Sequence, residues 1–430
     1  MTTNTQPGTA VERIAAATAR PRIVIVGAGF GGLEAARALR RLPVDVTIID
    51  ANNHHCFQPL LYQVATASLS PADIAWPIRG LFRGRPNVRA VLGTVTAIDR
   101  AARMVRSDAG DIAYDYLILA TGATHFYFGH PEWEAFAPGL KRIEDATRIR
   151  RQILLALERA EIGTDEEERR RLMTFVIVGG GPTGAEMAGA IAEIAMHTLK
   201  ADFRRIDPRR SRILLIEAGP RILPAFPEAL SDYAHKALVR AGVEIKTDAP
   251  VTRCDERGVA LGDERIEAAT VIWAAGVAAS PAAQWLDAAR DGAGRVKVEG
   301  DLSVPGHPEI FVVGDTASVG STFGKPVPGI APAAKQMGRY AARAVAAAIN
   351  STARPAPFKY RHYGNFATIG RKAAIADFGG FSLKGALAWM LWSVAHIYFL
   401  IGVRNRLMVA LTWIWNYATL KRGALLITRG

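Results

Sequence analysis

The clearest pattern in the chain is a short apolar run that breaks into glycines and is followed by a helical stretch and a second apolar run. The first run is Arg22–Val26, the glycine-rich turn covers residues 27–32, and the second run, residues 46–49, is closed by Asp50. β-Branched runs of this length are typical of buried strands. The pattern therefore predicts a strand, a tight turn, a helix and a second strand.

The glycines of this turn fill a G-x-G-x-x-G motif, as Gly27, Gly29 and Gly32. Gly27 allows the tight turn, Gly29 lets the backbone approach a pyrophosphate, and Gly32 lets the helix pack closely on the strand. Asp50 follows at a distance typical of a carboxylate that binds a ribose 2′-hydroxyl. A glycine triplet alone fits a simple turn equally well, but the flanking strands and the acid favour dinucleotide binding.

The same pattern occurs a second time further along the chain. The apolar run Thr174–Val178 leads into a turn in which Gly179, Gly181 and Gly184 occupy the motif positions, and an alanine-rich helix follows. Two copies are far more specific than one. They predict two bound nucleotides, one a resident redox cofactor and the other a substrate.

The acid after the second turn bears on which nucleotide binds there. The apolar run at residues 213–216 closes on Glu217. A carboxylate at this position favours a ribose 2′-hydroxyl and hence NAD(H), whereas a 2′-phosphate prefers arginine. Arg221 lies close by in sequence, so NADPH stays open.

Later turns complete the two predicted nucleotide sites. Gly122 and Gly276 each follow an apolar run, where backbone can pass close to a bound cofactor. Another run ends at Gly314 and Asp315, where an acid can bind a flavin ribitol or simply cap the end of a strand. A long helix begins near Ala331, and its N-terminus would favour negative charge on a reduced flavin.

Composition and charge narrow the function classes. The 430 residues are 50% hydrophobic and 22% charged, with a formal net charge of +13. The basic residues are scattered through most of the chain, without the aromatic-interleaved stripe typical of a nucleic-acid interface. No acid follows Asp377, so the basic excess becomes one-sided only at the C-terminus. We therefore expect no nucleic-acid partner, and prefer an acidic membrane surface.

Cysteine and histidine usage argues against dithiol and metal chemistry. Cys56 and Cys254 are the two cysteines, which suits a reducing compartment and offers no closely spaced redox pair. The adjacent His54 and His55 would point to opposite sides of an extended segment, and no carboxylate cluster lies nearby in sequence. The first twenty residues lack the apolar core of a secretory signal.

The C-terminal tail has a different character from the rest of the chain. Residues 385–403 carry no charge, and residues 407–420 form a second apolar stretch that ends at Lys421 and Arg422. The first stretch is borderline for a transmembrane helix and the second is too short. In the second, Thr412, Asn416 and Thr419 form one polar stripe on an otherwise apolar helix. This favours a helix lying in the membrane interface, against a spanning first helix or a buried core or dimer face.

These patterns predict an α/β fold with two Rossmann-like dinucleotide-binding domains and a C-terminal membrane-associating helical segment. We expect a flexible N-terminal tail at residues 1–20, followed by the first part of the cofactor domain at 21–150. The NAD(H)-binding domain is predicted at 151–290, the second part of the cofactor domain at 291–350, and the membrane-anchoring domain at 351–430.

Beyond residue 20 the chain resembles the type II NADH:quinone oxidoreductases, which are single-subunit, non-proton-pumping flavoproteins with two dinucleotide-binding domains. The most specific stretches are FQPLLYQVATA at residues 57–67, GGGPTGAE at 179–186, KPVPGIAPAAKQMGRY at 325–340 and HIYFLIGVRNR at 396–406. The glycine turns are shared with many other flavoproteins, whereas these stretches are not.

The resemblance implies non-covalent FAD in the first unit, NADH as substrate in the second, and hydride transfer that ends in two-electron reduction of a membrane quinone. The implied FAD-binding residues are Gly27, Gly29, Phe30, Gly31, Gly32, Asp50, Gly122, Gly314, Asp315, Ala331 and Ala334. The implied NADH-binding residues are Gly179, Gly181, Pro182, Thr183, Gly184, Glu217 and Gly276.

In this family a glutamate in the second glycine turn takes part in proton handling, and the matching residue here is Glu186. Its competing role is to stabilise the start of its own helix. The resemblance also implies peripheral attachment at the cytoplasmic face of the cell membrane and a homodimer.

The quinone contacts depart from the family pattern. Many members carry an A-Q-x-A motif whose glutamine approaches the quinone, and here Pro332 occupies that place. Because proline has no N–H to donate, we expect Gln336, one turn later, or backbone atoms to substitute. Tyr62 and Gln63 in the first specific stretch complete the expected quinone contacts.

Two other functions compete with this interpretation. A sulfide:quinone oxidoreductase shares the architecture but needs a pair of cysteines at the flavin, and Cys254 lies in the nucleotide-binding part of the chain. An NADH-sensing flavoprotein would bind the same nucleotides and signal through its dimer or membrane contacts. It would take up electrons from NADH once and then reoxidise slowly with quinone.

Overall fold

We describe a computed structural model of the chain, in which residues 20–200, 202–320 and 327–427 are described. The predicted N-terminal tail lies, except for Arg20, outside this range. The chain divides into two compact units, each assembled from three separate stretches. The first unit comprises Met1–His55, Pro77–Ala123 and Ala279–Arg361, and the second comprises Cys56–Trp76, Thr124–Ala278 and His362–Gly430.

The first unit is built on a six-stranded sheet in which all neighbours are parallel except the pair at one edge. In spatial order its strands are Ser303–Val304, His307–Val312, Tyr116–Leu119, Arg22–Val26, Asp45–Asp50 and Val88–Leu92. The central strand Arg22–Val26 is buried along four of its five residues, as its apolar sequence predicts. This is the predicted strand–turn–helix–strand unit, with the helix at Phe30–Leu39.

Two smaller sheets and three further helices complete the first unit. An antiparallel meander contains Val95–Asp99, Met104–Ser107 and Ile112–Ala113, and a short parallel pair contains Val296–Lys297 and Ala317–Ser318. The helices are Ile78–Leu81, Ala282–Trp285 and the long Ala331–Ile349. The long helix packs on Phe30–Leu39 so closely that a Cβ on Gly338 would clash with the Gly31 carbonyl.

The second unit repeats the design on a four-stranded parallel sheet. Its strands, in spatial order, are Val243–Lys246, Arg212–Ile216, Thr174–Val178 and Thr270–Trp273. Every residue of Thr174–Val178 is buried, because helices cover the sheet on which this strand is central. The helices of the unit are Leu61–Ala65, Pro71–Ile74, Ile143–Ile162, Glu166–Leu172, Pro182–Glu193, Glu228–Arg240, Ala386–Phe399 and Val403–Thr419.

Two antiparallel sheets extend the second unit. One contains Arg253–Asp255, Gly258–Leu261 and Glu264–Glu267, and the other contains Asn365–Thr368, Ala374–Asp377 and Ser382–Gly385. The second of these packs against Pro182–Glu193, where a Cβ on Gly189 would come within 3.1 Å of the Gly370 nitrogen. Four short strands, His54–Cys56, Ala75–Pro77, Ala123–His125 and Val277–Ala279, lie where the chain passes from one unit to the other.

The C-terminal tail forms a helical hairpin, which we call the tail hairpin, of Ala386–Phe399 and Val403–Thr419. The helices meet through stacked Trp392 and Trp413, whose ring centroids are 5.2 Å apart. Gly402 in the bend has a φ of +84° and abuts the Trp76 ring, so both its backbone and its neighbour require glycine. In the described part of the chain, no helix combines the length and apolarity needed to cross a bilayer.

Candidate functional site

The first glycine turn has the shape that a bound pyrophosphate requires. Gly27 has a φ of +97°, and a Cβ there would clash with the Ala120 carbonyl. A Cβ on Gly32 would clash with the Gly27 carbonyl, which is the close helix–strand packing predicted from the motif. Gly29, by contrast, has no such neighbour nearer than 4.0 Å. The turn is therefore closed on its inner side and open where phosphate would approach.

Asp50 is fixed beside this turn. Its Oδ2 accepts a hydrogen bond of 2.6 Å from the Ala28 backbone nitrogen, and its Oδ1 accepts one of 2.7 Å from the Asn52 nitrogen. The carboxylate is thereby held at the end of its strand by two backbone amides. This position agrees with the ribose role that we predict for it.

The other residues expected to bind FAD lie around the start of two helices in the first unit. A Cβ on Gly31 would come within 3.1 Å of Val313 Cγ2 and 3.3 Å of the Ala334 carbonyl, and Gly314 lies against Ala334. Phe30 stacks edge-on against the His55 ring, with 5.1 Å between centroids. Asp315 lies in the short helical turn Gly314–Thr316, Ala331 begins its helix, and Gly122 has a φ of +70°.

The second glycine turn reproduces the geometry of the first in the second unit. Gly179 has a φ of +107°, and a Cβ on Gly184 would clash with its carbonyl, while Gly181 has open space where a Cβ would be. Pro182 and Thr183 form the first turn of the helix that follows. Gly276, which ends the neighbouring strand segment, packs against the Phe128 ring.

Glu217 is held like Asp50. Its Oε2 accepts a hydrogen bond of 2.6 Å from the Gly180 backbone nitrogen, and its Oε1 accepts one of 2.8 Å from the Gly219 backbone nitrogen. Arg221 instead donates to the carbonyls of Phe226 and Pro224, at 2.9 and 3.0 Å. Because the guanidinium is bound to these carbonyls, Glu217 is the charged group held at the glycine turn.

A cleft of about 630 Å³, its mouth included, opens in the second unit. We call it the aromatic cleft, since its walls carry Tyr62, Trp389, Trp392, Trp413 and Tyr417. Its polar and charged lining residues are Gln63, Ser68, Glu186, Glu193, Thr368, Arg371, Asn416 and Arg422. Several aromatic side chains, together with polar groups that can fix its orientation, suit a flat organic ring.

Three of the lining residues form a continuous hydrogen-bonded line. The Thr368 backbone nitrogen donates a hydrogen bond of 3.2 Å to Glu186 Oε1, and the hydroxyl oxygens of Tyr62 and Thr368 lie 3.2 Å apart. Tyr62 also accepts a hydrogen bond of 2.9 Å from Gln63 Nε2, so its own hydrogen can be donated either to Thr368 or to a ligand in the cleft. The side chain of Glu186 therefore contacts the strand Asn365–Thr368 and does not cap its own helix.

Burial changes the acidity of this line. It raises the pKa of Glu186 to about 8, although hydrogen bonds from Thr368 oppose the rise. Burial, and then the charge of Glu186, also raise the pKa of Tyr62 above its ordinary value. At neutral pH both groups therefore carry their protons, as a proton donor to a substrate must.

The tail hairpin supplies much of the cleft wall. Trp413 Nε1 donates a hydrogen bond of 2.7 Å to Gln63 Oε1, and Asn416 Nδ2 donates one of 3.1 Å to the Ser68 carbonyl. His396 stacks on Trp392 and its Nδ1 lies 2.8 Å from the Trp392 carbonyl, while burial lowers its pKa to about 4. It is thus a neutral structural histidine.

The outer face of the tail hairpin is apolar, and its polar stripe turns inward. On Ala386–Phe399 the outward side chains include Leu387, Met390, Val394 and Tyr398, and on Val403–Thr419 they include Leu407, Leu411, Ile414 and Trp415. Asn405 is buried and donates to the carbonyls of Ala72 and Ala75. The polar stripe predicted on the last helix thus contacts protein at Asn416, instead of facing water.

Two of the expected quinone residues lie in the first unit, at the start of the helix Ala331–Ile349. Pro332 is in its first turn. The Gln336 amide is bound at both ends, because its Nε2 donates 2.8 Å to the Arg361 carbonyl and its Oε1 accepts 2.9 Å from the Arg361 nitrogen. Their role toward a quinone stays a prediction. Tyr62, Gln63 and Glu186 are the expected residues that share the aromatic cleft.

The cysteines and paired histidines have structural environments. Cys56 and Cys254 are free thiols, and burial raises the pKa of each to about 12. His55 is buried with its Nδ1 2.8 Å from the Ala28 carbonyl. Within the described ranges no group of three or more His, Cys, Asp or Glu side chains is arranged to hold a metal ion.

Sequence reasoning missed three residues of the aromatic cleft. Thr368 links Glu186 to Tyr62, Glu193 lies on the far end of the same helix as Glu186, and Arg422 reaches in from beyond the tail hairpin. Thr368 is 182 positions from Glu186 in sequence. No local spacing announces such a contact, since it depends on how the antiparallel sheet docks on the helix.

The chain is similar to known proteins along nearly its whole length. Residues 21–338 match the family described as pyridine nucleotide-disulphide oxidoreductase, and residues 362–419 match the NDH2 C-terminal domain. Two Mycobacterium tuberculosis proteins, the type II NADH:quinone oxidoreductases NdhA and Ndh, are 45% and 44% identical over 95% of this chain and 90% of their own length. A Staphylococcus haemolyticus type II NADH:quinone oxidoreductase is 29% identical over 86% of the chain and 92% of its own length.

Solved structures of low sequence identity share the fold. NDH2 from Plasmodium falciparum in complex with NADH superposes with a TM-score of 0.87 at 21% identity, covering 95% of this chain and all of that one. The sulfide:quinone oxidoreductase of Aquifex aeolicus reaches a TM-score of 0.71 at 19% identity, covering 90% of this chain and 92% of that one. The predicted fold class and family resemblance are thus confirmed, and the chain belongs to the type II NADH:quinone oxidoreductase family.

Proposed function

We propose that this chain is a flavoenzyme that oxidises NADH and reduces a quinone, without pumping protons. The observation that carries the proposal is the line of Glu186, Thr368 and Tyr62 on the wall of the aromatic cleft, in the unit that also contains the second glycine turn. A quinone takes up two protons when it is reduced by two electrons. The line is a source of such protons beside an aromatic pocket.

The residues of the two glycine turns fit the two nucleotides. In the first unit the open face at Gly29 would take the pyrophosphate of FAD, and Asp50 its adenosine ribose. In the second unit Gly181 and Glu217 would do the same for NADH. When bound, FAD supplies the redox chemistry, as a two-electron carrier between NADH and the quinone.

The chain's own contribution to quinone reduction is binding and proton supply. The aromatic walls exclude water and stack on a flat ring. Tyr62 would donate its proton to a quinone oxygen and recover one from the Thr368 hydroxyl, which in turn takes one from Glu186 through the hydrogen bond between their side chains. Because Glu186 has a pKa of about 8, it is protonated at neutral pH and can be recharged from solvent.

We propose that the tail hairpin attaches the protein to the surface of the cell membrane at its cytoplasmic face, where NADH is available. The support is its outward apolar stripe, in which Val403 is 80% exposed and Leu387 68%. Arg404 and Arg406 follow directly and would meet acidic headgroups. The homodimer implied by the family resemblance stays a prediction.

The competing functions have less support. Sulfide oxidation needs reactive thiols, and burial raises the pKa of both Cys56 and Cys254 to about 12. The similarity to a sulfide:quinone oxidoreductase concerns the fold alone. An NADH sensor would have no use for a proton line beside an aromatic pocket.

Steady-state turnover of the purified FAD-loaded protein tests this proposal. We expect NADH to drive continuous reduction of ubiquinone or menaquinone analogues, with NADPH a poorer donor and sulfide inactive. If NADH bleaches the flavin absorbance once and quinone restores it only slowly, the protein is a sensor. Turnover with sulfide but not with NADH would favour the sulfide-oxidising function.

A further inference from the structure

Arg422 lies in an unexpected place. From sequence, Lys421 and Arg422 form the basic end of an interfacial helix. In the structure Leu420 ends that helix in a left-handed conformation, with a φ of +62°, and the chain turns back. Arg422 is only 8% exposed and lines the aromatic cleft, whereas Lys421 is exposed.

The Arg422 guanidinium is fixed by two partners, a backbone carbonyl and a carboxylate. Its Nη1 donates 2.5 Å to the Thr66 carbonyl, which positions the group without cancelling its charge. Its Nη2 lies 3.4 Å from Glu193 Oε1. The two side chains therefore form an ion pair that is longer than the roughly 2.7–2.9 Å of a strong charge-assisted hydrogen bond.

The charges around the cleft sum to an excess of positive charge. Its ionisable lining residues are Glu186, Glu193, Arg371, Arg422 and Tyr62. Glu186 and Tyr62 are protonated at neutral pH because burial raises their pKa values. Two arginines then face one carboxylate. Arg371 donates to the Tyr417 carbonyl and stacks on the Tyr417 ring, 4.4 Å from its centroid. Arg422 is the more deeply buried of the two cations.

An unpartnered donor points to the same ligand chemistry. Trp392 is 2% exposed, lines the cleft, and its indole Nε1 has no hydrogen-bond partner. A buried N–H without an acceptor costs free energy that a ligand oxygen would recover. A buried cation and an unpartnered N–H, on two residues that line the same aromatic cleft, suit a ring whose oxygens carry negative charge.

We propose that Arg422 is the anion-binding residue of the aromatic cleft, holding the negative charge that quinone oxygens acquire as electrons arrive and before protons do. This inference rests on the proposed function, and it adds a substrate preference: a quinone whose ring oxygens already bear negative charge should bind more tightly than a neutral one. In this site the fixed positive charge acts in a region of low dielectric, where it is stronger than in water.

Binding of two naphthoquinones to the FAD-loaded protein tests the proposal. 2-Hydroxy-1,4-naphthoquinone is ionised at neutral pH, whereas 2-methyl-1,4-naphthoquinone is neutral. Quenching of tryptophan fluorescence, corrected for absorption by the ligands, reports both affinities, since three tryptophans line the cleft. The binding measurement contains no NADH and needs no turnover. A protein that does not reduce quinones can therefore still be tested for anion binding at Arg422, so this proposal and the proposed function can be rejected independently.

R422Q and E193Q are expected to change the affinity for the ionised quinone in opposite directions. We expect R422Q to weaken binding of the ionised quinone by about tenfold and of the neutral one by less than about twofold, with R422K intermediate. E193Q removes the counter-charge and should tighten binding of the ionised quinone. K421Q, one residue away but exposed, should change neither affinity.

Equal loss of both ligands in R422Q would assign Arg422 a structural role and overturn the proposal. Weaker binding of the ionised quinone in E193Q would overturn it as well, because a charge effect requires the opposite sign. E193Q keeps the test decisive even where R422Q fails to fold.

Discussion

The Glu217 carboxylate accepts a hydrogen bond of 2.6 Å from the backbone nitrogen of Gly180. Asp50 makes the matching contact, also 2.6 Å, with the Ala28 nitrogen in the other unit. In each unit the acid that closes the second strand is thus bound to the same position of the glycine turn. The fold sets the position of these acids before any nucleotide arrives, so each acid can be tested for the nucleotide of its own unit.

Replacing Glu217 should alter the choice between NADH and NADPH. In E217Q one carboxylate oxygen becomes an amide NH₂, which cannot accept from backbone N–H. A hydrogen bond to a charged group contributes about 1.5–3 kcal/mol, so we expect KM for NADH to rise by about tenfold and discrimination against NADPH to shrink. Steady-state kinetics with both donors measure this. D50N should bind FAD more weakly but, when assayed with saturating added FAD, should retain the preference for NADH. An unchanged preference in E217Q would contradict the assignment.

The pKa of Glu186 sets the expected pH dependence of turnover. Since burial raises it from 4.5 to about 8, the proton donor is lost above about pH 8 and kcat should fall there. E186Q should lower kcat by about 100-fold, a typical effect of losing a general acid, and should remove the decline at high pH. A descending limb that persists in E186Q would mean that another group supplies the proton.

The raised pKa of Glu186 also predicts a pH-dependent difference in stability between wild type and E186Q. A carboxyl with a raised pKa in the folded state contributes stability that is present below about pH 4.5 and is lost as the pH rises toward 8. Thermal unfolding of holoprotein should therefore show wild type losing stability relative to E186Q between these values. A pH-independent difference would show that Glu186 does not titrate as described.

Thr368 should matter through its hydroxyl. T368V keeps the shape of the side chain and the backbone N–H to Glu186 but removes the link to Tyr62. We expect about a tenfold loss of kcat with quinone, while bleaching of the flavin absorbance by NADH keeps its rate. T368S restores a hydroxyl and is the matched control. Equal losses in T368V and T368S would indicate a packing defect.

The outward face of the tail hairpin should govern membrane binding. Changing Leu411, Ile414 and Trp415 together to glutamine removes exposed apolar surface from the last helix. We expect co-sedimentation with vesicles containing acidic lipids to fall by about tenfold or more. The control is I162Q, which changes a side chain 73% exposed on another helix. Undiminished sedimentation of the triple variant would refute membrane attachment through this face.

Local patterns predicted the parts of the fold whose causes are local. The strands Arg22–Val26 and Thr174–Val178 and both glycine turns were confirmed, because β-branched runs and glycine positions are read directly from sequence. The charged run at residues 165–171 has a composition that also fits a solvated connector, but in the structure it forms the helix Glu166–Leu172, in which Arg171 pairs with Glu168 one turn earlier. The sequence of Val88–Leu92 does not by itself show which sheet this strand joins, and in the structure it pairs with Asp45–Asp50 at the edge of the parallel sheet.

The composition of the aromatic cleft was less accessible to sequence. Tyr62, Gln63 and Glu186 were expected from the family resemblance, whereas Thr368, Glu193 and Arg422 were not. Arg422 illustrates the reason. A basic residue after an apolar helix favours a membrane interface, and only the left-handed end of that helix at Leu420 brings it back into the protein. Contacts of this kind depend on tertiary packing that no periodicity encodes.

The central claim, that electrons leave the enzyme for a quinone in the aromatic cleft, is tested most directly by filling the cleft. S68W adds bulk at a partly exposed lining residue, and T164W is a control at an exposed loop position of the same unit. After NADH bleaches the flavin absorbance, rapid mixing with a ubiquinone analogue measures its return. We predict an unchanged rate of bleaching, a return at least about tenfold slower in S68W alone, and a normal return with ferricyanide. An equally fast return with quinone in S68W and T164W would contradict the claim.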